Sequence, residues 1–165
     1  MGGQNKILMK IDSQFPSHWR NYVLQSVYAS VTVFLITLVL GMEHAVIIAS
    51  IGATAFIVFA MPNSISCQPK RIIGGHLLGF FVGACFAVFP FMNFLLIGAL
   101  WHALAVGITL FAMVVLDFEH PPAAGTALGM TVTGYSQDAA IAIITSVILL
   151  AFISHYAKPF IRDLV

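Results

Sequence analysis

Charge is scarce in this sequence, and much follows from that scarcity. Seven basic and six acidic residues among 165 make the chain 8% charged, against about a quarter in soluble domains. Such a chain cannot cover a water-facing surface. The net charge of +1 argues neither for nor against nucleic acid, but there is no basic run to bind it, and no nucleic-acid partner is expected. Cysteine is nearly absent too. Cys67 and Cys85 have no metal-ligand spacing and read as two small thiols, one in a loop and one in a packed helix. None of the six histidines forms a pair at helical spacing, so Asp117, Glu119 and His120 do not make a convincing metal site. A nucleophile with its base is also missing. Neither an enzyme, a cofactor nor a metal is expected. Residues 1–20 carry Lys6, Lys10 and Arg20 without the apolar core of a cleavable signal peptide, and read as a cytoplasmic N-terminal segment.

What fills the chain instead is apolar. Hydrophobic residues make up 60% and the mean hydropathy is +1.00. Uncharged runs extend over residues 21–42, 44–69, 72–116, 120–137 and 139–157. Each of the first two accommodates a segment at membrane depth, and the third is long enough for two spans of about 20 residues with a turn. The expectation is an all-α polytopic membrane protein of the plasma or inner membrane, with the lipid bilayer as its constant partner.

Basic residues fix the topology. They fall in three clusters: Lys6, Lys10 and Arg20; Lys70 and Arg71; Lys158 and Arg162. The positive-inside rule puts all three, and so both termini, in the cytoplasm. An even number of crossings must then separate successive clusters. Helices near 22–41 and 45–61 serve the first interval. Helices near 72–90 and 94–116, turning at Pro90-Phe91-Met92-Asn93, and a last helix near 138–157 leave the second interval one crossing short. Only the stretch after Pro121-Pro122 can supply it. Two consecutive prolines cannot sit inside an ordinary helix, and a break at membrane depth survives only where it is buried in protein or lines a cavity. Ala123 to Gln137 would reach about 22 Å as helix, short of a hydrocarbon core of about 30 Å. A short helix starting near the midplane at Ala123 or Ala124 is therefore expected, with proline tolerated in its first turn.

The block has an echo. Glu43-His44 recurs as Glu119-His120, and Gly52-Ala53-Thr54-Ala55 as Ala124-Gly125-Thr126-Ala127. Each half then reads long span, short segment, long span. Three crossings per half make the halves antiparallel, which is an inverted repeat of the transporter kind. The expected membrane domain covers residues 21–165, with repeat one at about 21–90 and repeat two at about 94–158. It holds four full spanning helices and two half-helix segments.

The block His120-Pro121-Pro122-Ala123-Ala124-Gly125-Thr126-Ala127-Leu128, with Phe59-Ala60-Met61-Pro62, Gln68-Pro69 and Gly74-Gly75-His76-Leu77, resembles the HPP family of small integral membrane proteins over roughly residues 15–158. The resemblance implies four spanning helices and transport of a small inorganic anion, nitrite first, since relatives in cyanobacteria and chloroplasts are associated with nitrite. Substrate does not follow from fold alone.

A small anion at mid-membrane needs donors that replace water. Helix N-termini supply unsatisfied N–H groups and roughly half a positive charge each, and no Lys or Arg lies in the expected spans. The candidate binding residues are His120, Pro121, Pro122, Ala124, Gly125 and Thr126 in one half and Gly52 and Thr54 in the other. The glycines permit close backbone approach, and the threonines add hydroxyls at matching positions. Tight packing through small residues is the competing reading. Glu43 and Glu119, each beside His44 or His120, are candidates for gating or proton coupling, or else solvated loop acids. His76 and His102 are pore-lining or relay histidines, or hydrogen-bonded core residues. Gly75, Gly79 and Gly83 form a ladder suited to close helix approach. An anion channel, an intramembrane enzyme and a structural membrane subunit remain the alternatives, and a homo-oligomer is compatible with so small a body.

Overall fold

The computed structural model describes residues 12–40, 45–89 and 95–165. Regular structure within them is all helical: α1 Phe15–Leu40, α2 Ala45–Ala60, α3 Pro69–Ala87, α4 Leu95–Val115, α5 Pro122–Thr133 and α6 Gln137–Ala157. Short 3-10 turns occupy Ile65–Cys67 and Lys158–Phe160. α1, α3, α4 and α6 are long and apolar enough to cross a membrane, while α2 is a shorter apolar helix. At 12 residues, α5 reaches about 18 Å. Four spans with two short helices is the architecture expected from the sequence.

Local chemistry sets the boundaries. Pro69 opens α3 from the first-turn position that proline favours. Asp117 adopts φ 57° after α4, and the Phe118 N–H reaches back to the Met113 carbonyl at 2.8 Å. That closes the helix with a left-handed residue in the manner of a Schellman cap. Gly134, at φ 81°, ends α5, and the Ser136 hydroxyl accepts from the Ala139 N–H at 3.1 Å to start α6. One expected boundary moves. α1 begins at Phe15 rather than after Arg20, with a kink at His18. The first charged residues are no obstacle, because Arg20 can keep its head group in water while its stem lies along the helix. The expected turn at 90–93 lies outside the described residues.

One end of the bundle gathers the described basic residues. The Leu164 N–H bonds the Ala60 carbonyl at 2.9 Å, and the Asn63 N–H bonds Asp163 at 3.1 Å. Gln25 is buried and donates to the Arg162 carbonyl at 2.7 Å. The starts of α1 and α3 and the ends of α2, α4 and α6 therefore share that end, with Arg20, Lys70, Arg71, Lys158 and Arg162. From there α5 runs parallel to α3: a Cβ on Gly75 would meet His120, one on Gly79 would meet the Ala123 carbonyl, and one on Gly83 would meet Met130. The glycine ladder is what lets the two backbones lie this close, and α5 supplies the sixth segment demanded by charge parity.

α2 and α5 lie inside. α5 packs against α2, α3 and α4, and α2 against α1, α5 and α6. Ile47, Ile51, Val58, Ile72, Met130, Ile143 and Leu150 form the buried apolar core. Large apolar side chains such as Phe34, Leu38, Phe81, Leu96 and Phe111 point outward, as lipid-facing residues do where the solvent is hydrocarbon rather than water.

Candidate functional site

Polar side chains converge where α2, α3 and the start of α5 meet. Ser50 and Thr54 stand four residues apart on one face of α2. His76 comes from α3, Thr126 from α5, and His120 from the link before α5. Thr54, His76, His120 and Thr126 are fully buried, and Ser50 nearly so. His76 is seven residues into α3, about 10 Å along its axis, so the group lies well inside the apolar body.

These residues form a continuous chain of contacts. His120 Nδ1 lies 2.8 Å from the Ser66 carbonyl, and its Nε2 is 3.0 Å from Thr54 Oγ1. Thr54 Oγ1 is 2.8 Å from His76 Nε2, and His76 Nδ1 is 2.7 Å from Thr126 Oγ1. Thr126 Oγ1 is 3.0 Å from Ser50 Oγ, which donates to the Pro122 carbonyl at 2.5 Å. The two imidazole rings are 5.0 Å apart. A buried polar group without a partner costs several kcal/mol in hydrocarbon, and here every side-chain nitrogen and hydroxyl has one. Three segments are thereby tied together at depth. The chain offers hydroxyl and imidazole hydrogen-bond donors and no fixed charge.

Several expected site residues meet in this chain: His120, Thr126, Thr54, His76 and the carbonyl of Pro122. Gly125 lies beside it, where a Cβ would stand 3.1 Å from Ser50 Cβ. Pro121 is exposed and Ala124 half-buried. Gly52 is not part of it: a Cβ there would meet nothing within 4 Å, because two residues back from Thr54 is the opposite side of the helix. His102 is half-buried on α4 and bonds Thr131 at 2.8 Å, further along α5. Glu43 and His44 lie outside the described residues.

Glu119 turns away from His120. Neighbouring residues in the link face opposite ways: His120 inward, and Glu119 toward Arg71, with which it makes an ion pair. Arg71 also pairs with Asp117, and Lys70 reaches Asp117 at 3.1 Å. The Lys70 ammonium, joined by Arg71, holds the Asp117 carboxyl below the ordinary carboxylate value. This set of two cations and two anions sits at the basic end and anchors the α4–α5 link to α3.

The expected convergence of two helix N-termini is not found. The first free N–H groups of α5 are already used, Ala123 N–H on the His120 carbonyl at 2.9 Å and Ala124 N–H on the Pro121 carbonyl at 3.1 Å. α2 and α5 lie antiparallel side by side, with Ser50 against Pro122 and Ile47 against Gly129, so their starts point in opposite directions. Side chains, rather than helix ends, meet at the centre. Ser50, the Ser66 carbonyl and Arg71 are the participants that the sequence reading did not single out. Ser50 carried a signal, since its four-residue spacing from Thr54 puts two hydroxyls on one face of an apolar helix. The Ser66 carbonyl carried none.

A transmembrane protein of Dictyostelium discoideum is 35% identical over 101 residues, covering 59% of this chain and 34% of that protein. The chain thus spans about a third of the length of this curated relative. No solved structure matches it. Residues 14–160 match the family described as HPP, transmembrane region. The match takes in all six helices and every member of the buried polar chain, and the protein belongs to that HPP transmembrane family.

Proposed function

We propose that this protein transports a small inorganic anion, nitrite being the first to test, across a plasma or inner membrane, with both termini in the cytoplasm. The observation that carries the reading is the buried chain Ser50–Thr126–His76–Thr54–His120. It is polar, without fixed charge and set well inside an apolar bundle. Hydroxyl and imidazole N–H groups replace water around an anion without the tight grip of a buried Lys or Arg. The short helices give the second support. The order long, short, long occurs twice, in α1–α3 and α4–α6, and α2 packs antiparallel on α5. An inverted repeat of this form supplies two alternative packings around one central site.

The direct hydrogen bonds that close the chain favour a gated transporter over an open channel, because a permeant must part α2 from α5 to pass. Uptake into proteoliposomes provides the test, comparing nitrite, nitrate, formate, bicarbonate and chloride. Saturable uptake of one or more of these is expected. Folded protein that moves none of them would sink the reading.

A further inference from the structure

The buried chain is one proton short. Six contacts join its members: Ser66 carbonyl to His120, His120 to Thr54, Thr54 to His76, His76 to Thr126, Thr126 to Ser50, and Ser50 to the Pro122 carbonyl. Each contact needs one hydrogen between its two heavy atoms. A neutral imidazole has one N–H and a hydroxyl one O–H, so five side chains supply five. Both ends of the chain are carbonyls, which only accept. Donation must therefore run outward toward each end, and somewhere it must reverse. A group that donates on both sides achieves this, and an imidazolium is the one member that can. The longer contact from Thr54 Oγ1 to the Ser50 carbonyl, at 3.2 Å, competes for the same hydrogens and deepens the deficit.

A sixth proton alone would leave a charge buried. Among the described residues, the charged groups that flank the chain are Lys70 and Arg71 at the start of α3 and Asp117 and Glu119 in the α4–α5 link, which pair among themselves and sum to zero. α6 presents Ile143, Ile144, Val147 and Ile148 beside His76, and the described parts of α2 and α5 bring hydroxyls but no ionisable group. Among the described residues an isolated imidazolium there has no counter-ion, nor has an isolated anion, and each is costly in a low dielectric. Together they neutralise each other and complete the hydrogen-bond count.

We infer that the chain takes up one proton together with one monovalent anion, so that the pair crosses the membrane without net charge. This deepens the transport reading above and rests on it. The proton comes from water on one face, is held on His76 or His120 as an imidazolium, and returns to water on the other face as the anion leaves. By linkage each partner raises the affinity for the other.

The test uses the full chain in proteoliposomes with nitrite as probe, subtracting passive entry into protein-free vesicles. Membrane potential is clamped with potassium and valinomycin, and a trapped dye reads internal pH. Paired movement predicts a tenfold rise in the nitrite accumulation ratio for each unit of imposed pH gradient, no response to potential, and one proton entering per anion. Anion movement alone would instead follow potential, tenfold for each ~59 mV. Nitrite moving in response to potential without protons overturns the inference while leaving transport intact. Movement of no anion overturns both.

Thr126→Val removes two contacts and one hydrogen, leaving four contacts and four hydrogens, so it should abolish the pH-gradient dependence. Nitrogen NMR of 15N-histidine wild type covers the case in which that variant misfolds. Adding nitrite should convert one buried imidazole to the doubly protonated form, and bound nitrite with both rings still neutral would overturn the inference.

Discussion

Replacing Thr54 by valine tests the central junction without disturbing its shape. Valine is close to threonine in volume, and Thr54 is fully buried, so packing stays nearly constant while the hydroxyl disappears. That hydroxyl serves the Nε2 atoms of both His76 and His120, at 2.8 and 3.0 Å. Two imidazole nitrogens are orphaned together. Figures from soluble proteins, about 1–3 kcal/mol for each orphaned group, would give a loss of about 2–6. Interhelical hydrogen bonds in membranes average only about 0.6 kcal/mol and reach about 1.7, because the unfolded chain also finds partners. The membrane figure is the relevant one here, and two lost bonds then give about 1–3 kcal/mol by that scale. Thr54→Ser keeps the hydroxyl and loses one methyl group, for about 1 kcal/mol or less. Equilibrium unfolding in dodecylmaltoside–SDS mixtures measures both. A Thr54→Val protein as stable as wild type, or a serine variant less stable than the valine one, would refute the role of Thr54 as the junction.

Further expectations concern the glycines and the ion cluster. Gly83→Ala puts a Cβ within 2.8 Å of the Ala127 carbonyl and 2.6 Å of Met130 Cβ and should destabilise by about 1–3 kcal/mol, as overpacking does. Gly52→Ala meets open space and should be neutral or stabilising by up to about 1 kcal/mol, a contrast the same unfolding assay reads. Gly125→Val wedges α2 from α5 at Ser50 and should abolish anion flux in proteoliposomes while the protein remains inserted; normal flux would return Gly125 to a packing role alone. Asp117 has its pKa lowered in the fold, chiefly by the Lys70 hydrogen bond. Its contribution is therefore complete above the ordinary value of 3.8 and fades as pH falls through the lower folded value. Asp117→Asn should remove that acid-side loss, and carboxyl NMR titration should place the Asp117 midpoint below 3.8.

Much of the fold was legible because its determinants are one-dimensional. Uncharged runs counted the spans, and the double proline located the break at α5. The parity of three basic clusters required a sixth segment, and the spacing of Gly75, Gly79 and Gly83 identified a close helix contact, whose partner proved to be α5. The start of α1 was misread, since amphipathic residues before Arg20 can be helical at an interface without looking apolar. The site was only partly legible. Thr54, Thr126, His76 and His120 were singled out one by one, yet their meeting at one point depends on how α2, α3 and α5 cross. Glu119, from its sequence position either a gating or coupling acid or a solvated loop acid, turns away from His120 and pairs with Arg71.

The sequence by itself determined the solvent of this protein, the number of its long apolar spans and the place where the helical run must be broken, because hydropathy, charge and proline act through local chemistry. Only the tertiary structure decided that the break is filled by side chains rather than by converging helix ends. It also decided that two carbonyls terminate the buried chain. Those outcomes depend on the register of three packed helices, set by glycines that let backbones touch, and on hydrogen bonds between residues up to 76 positions apart.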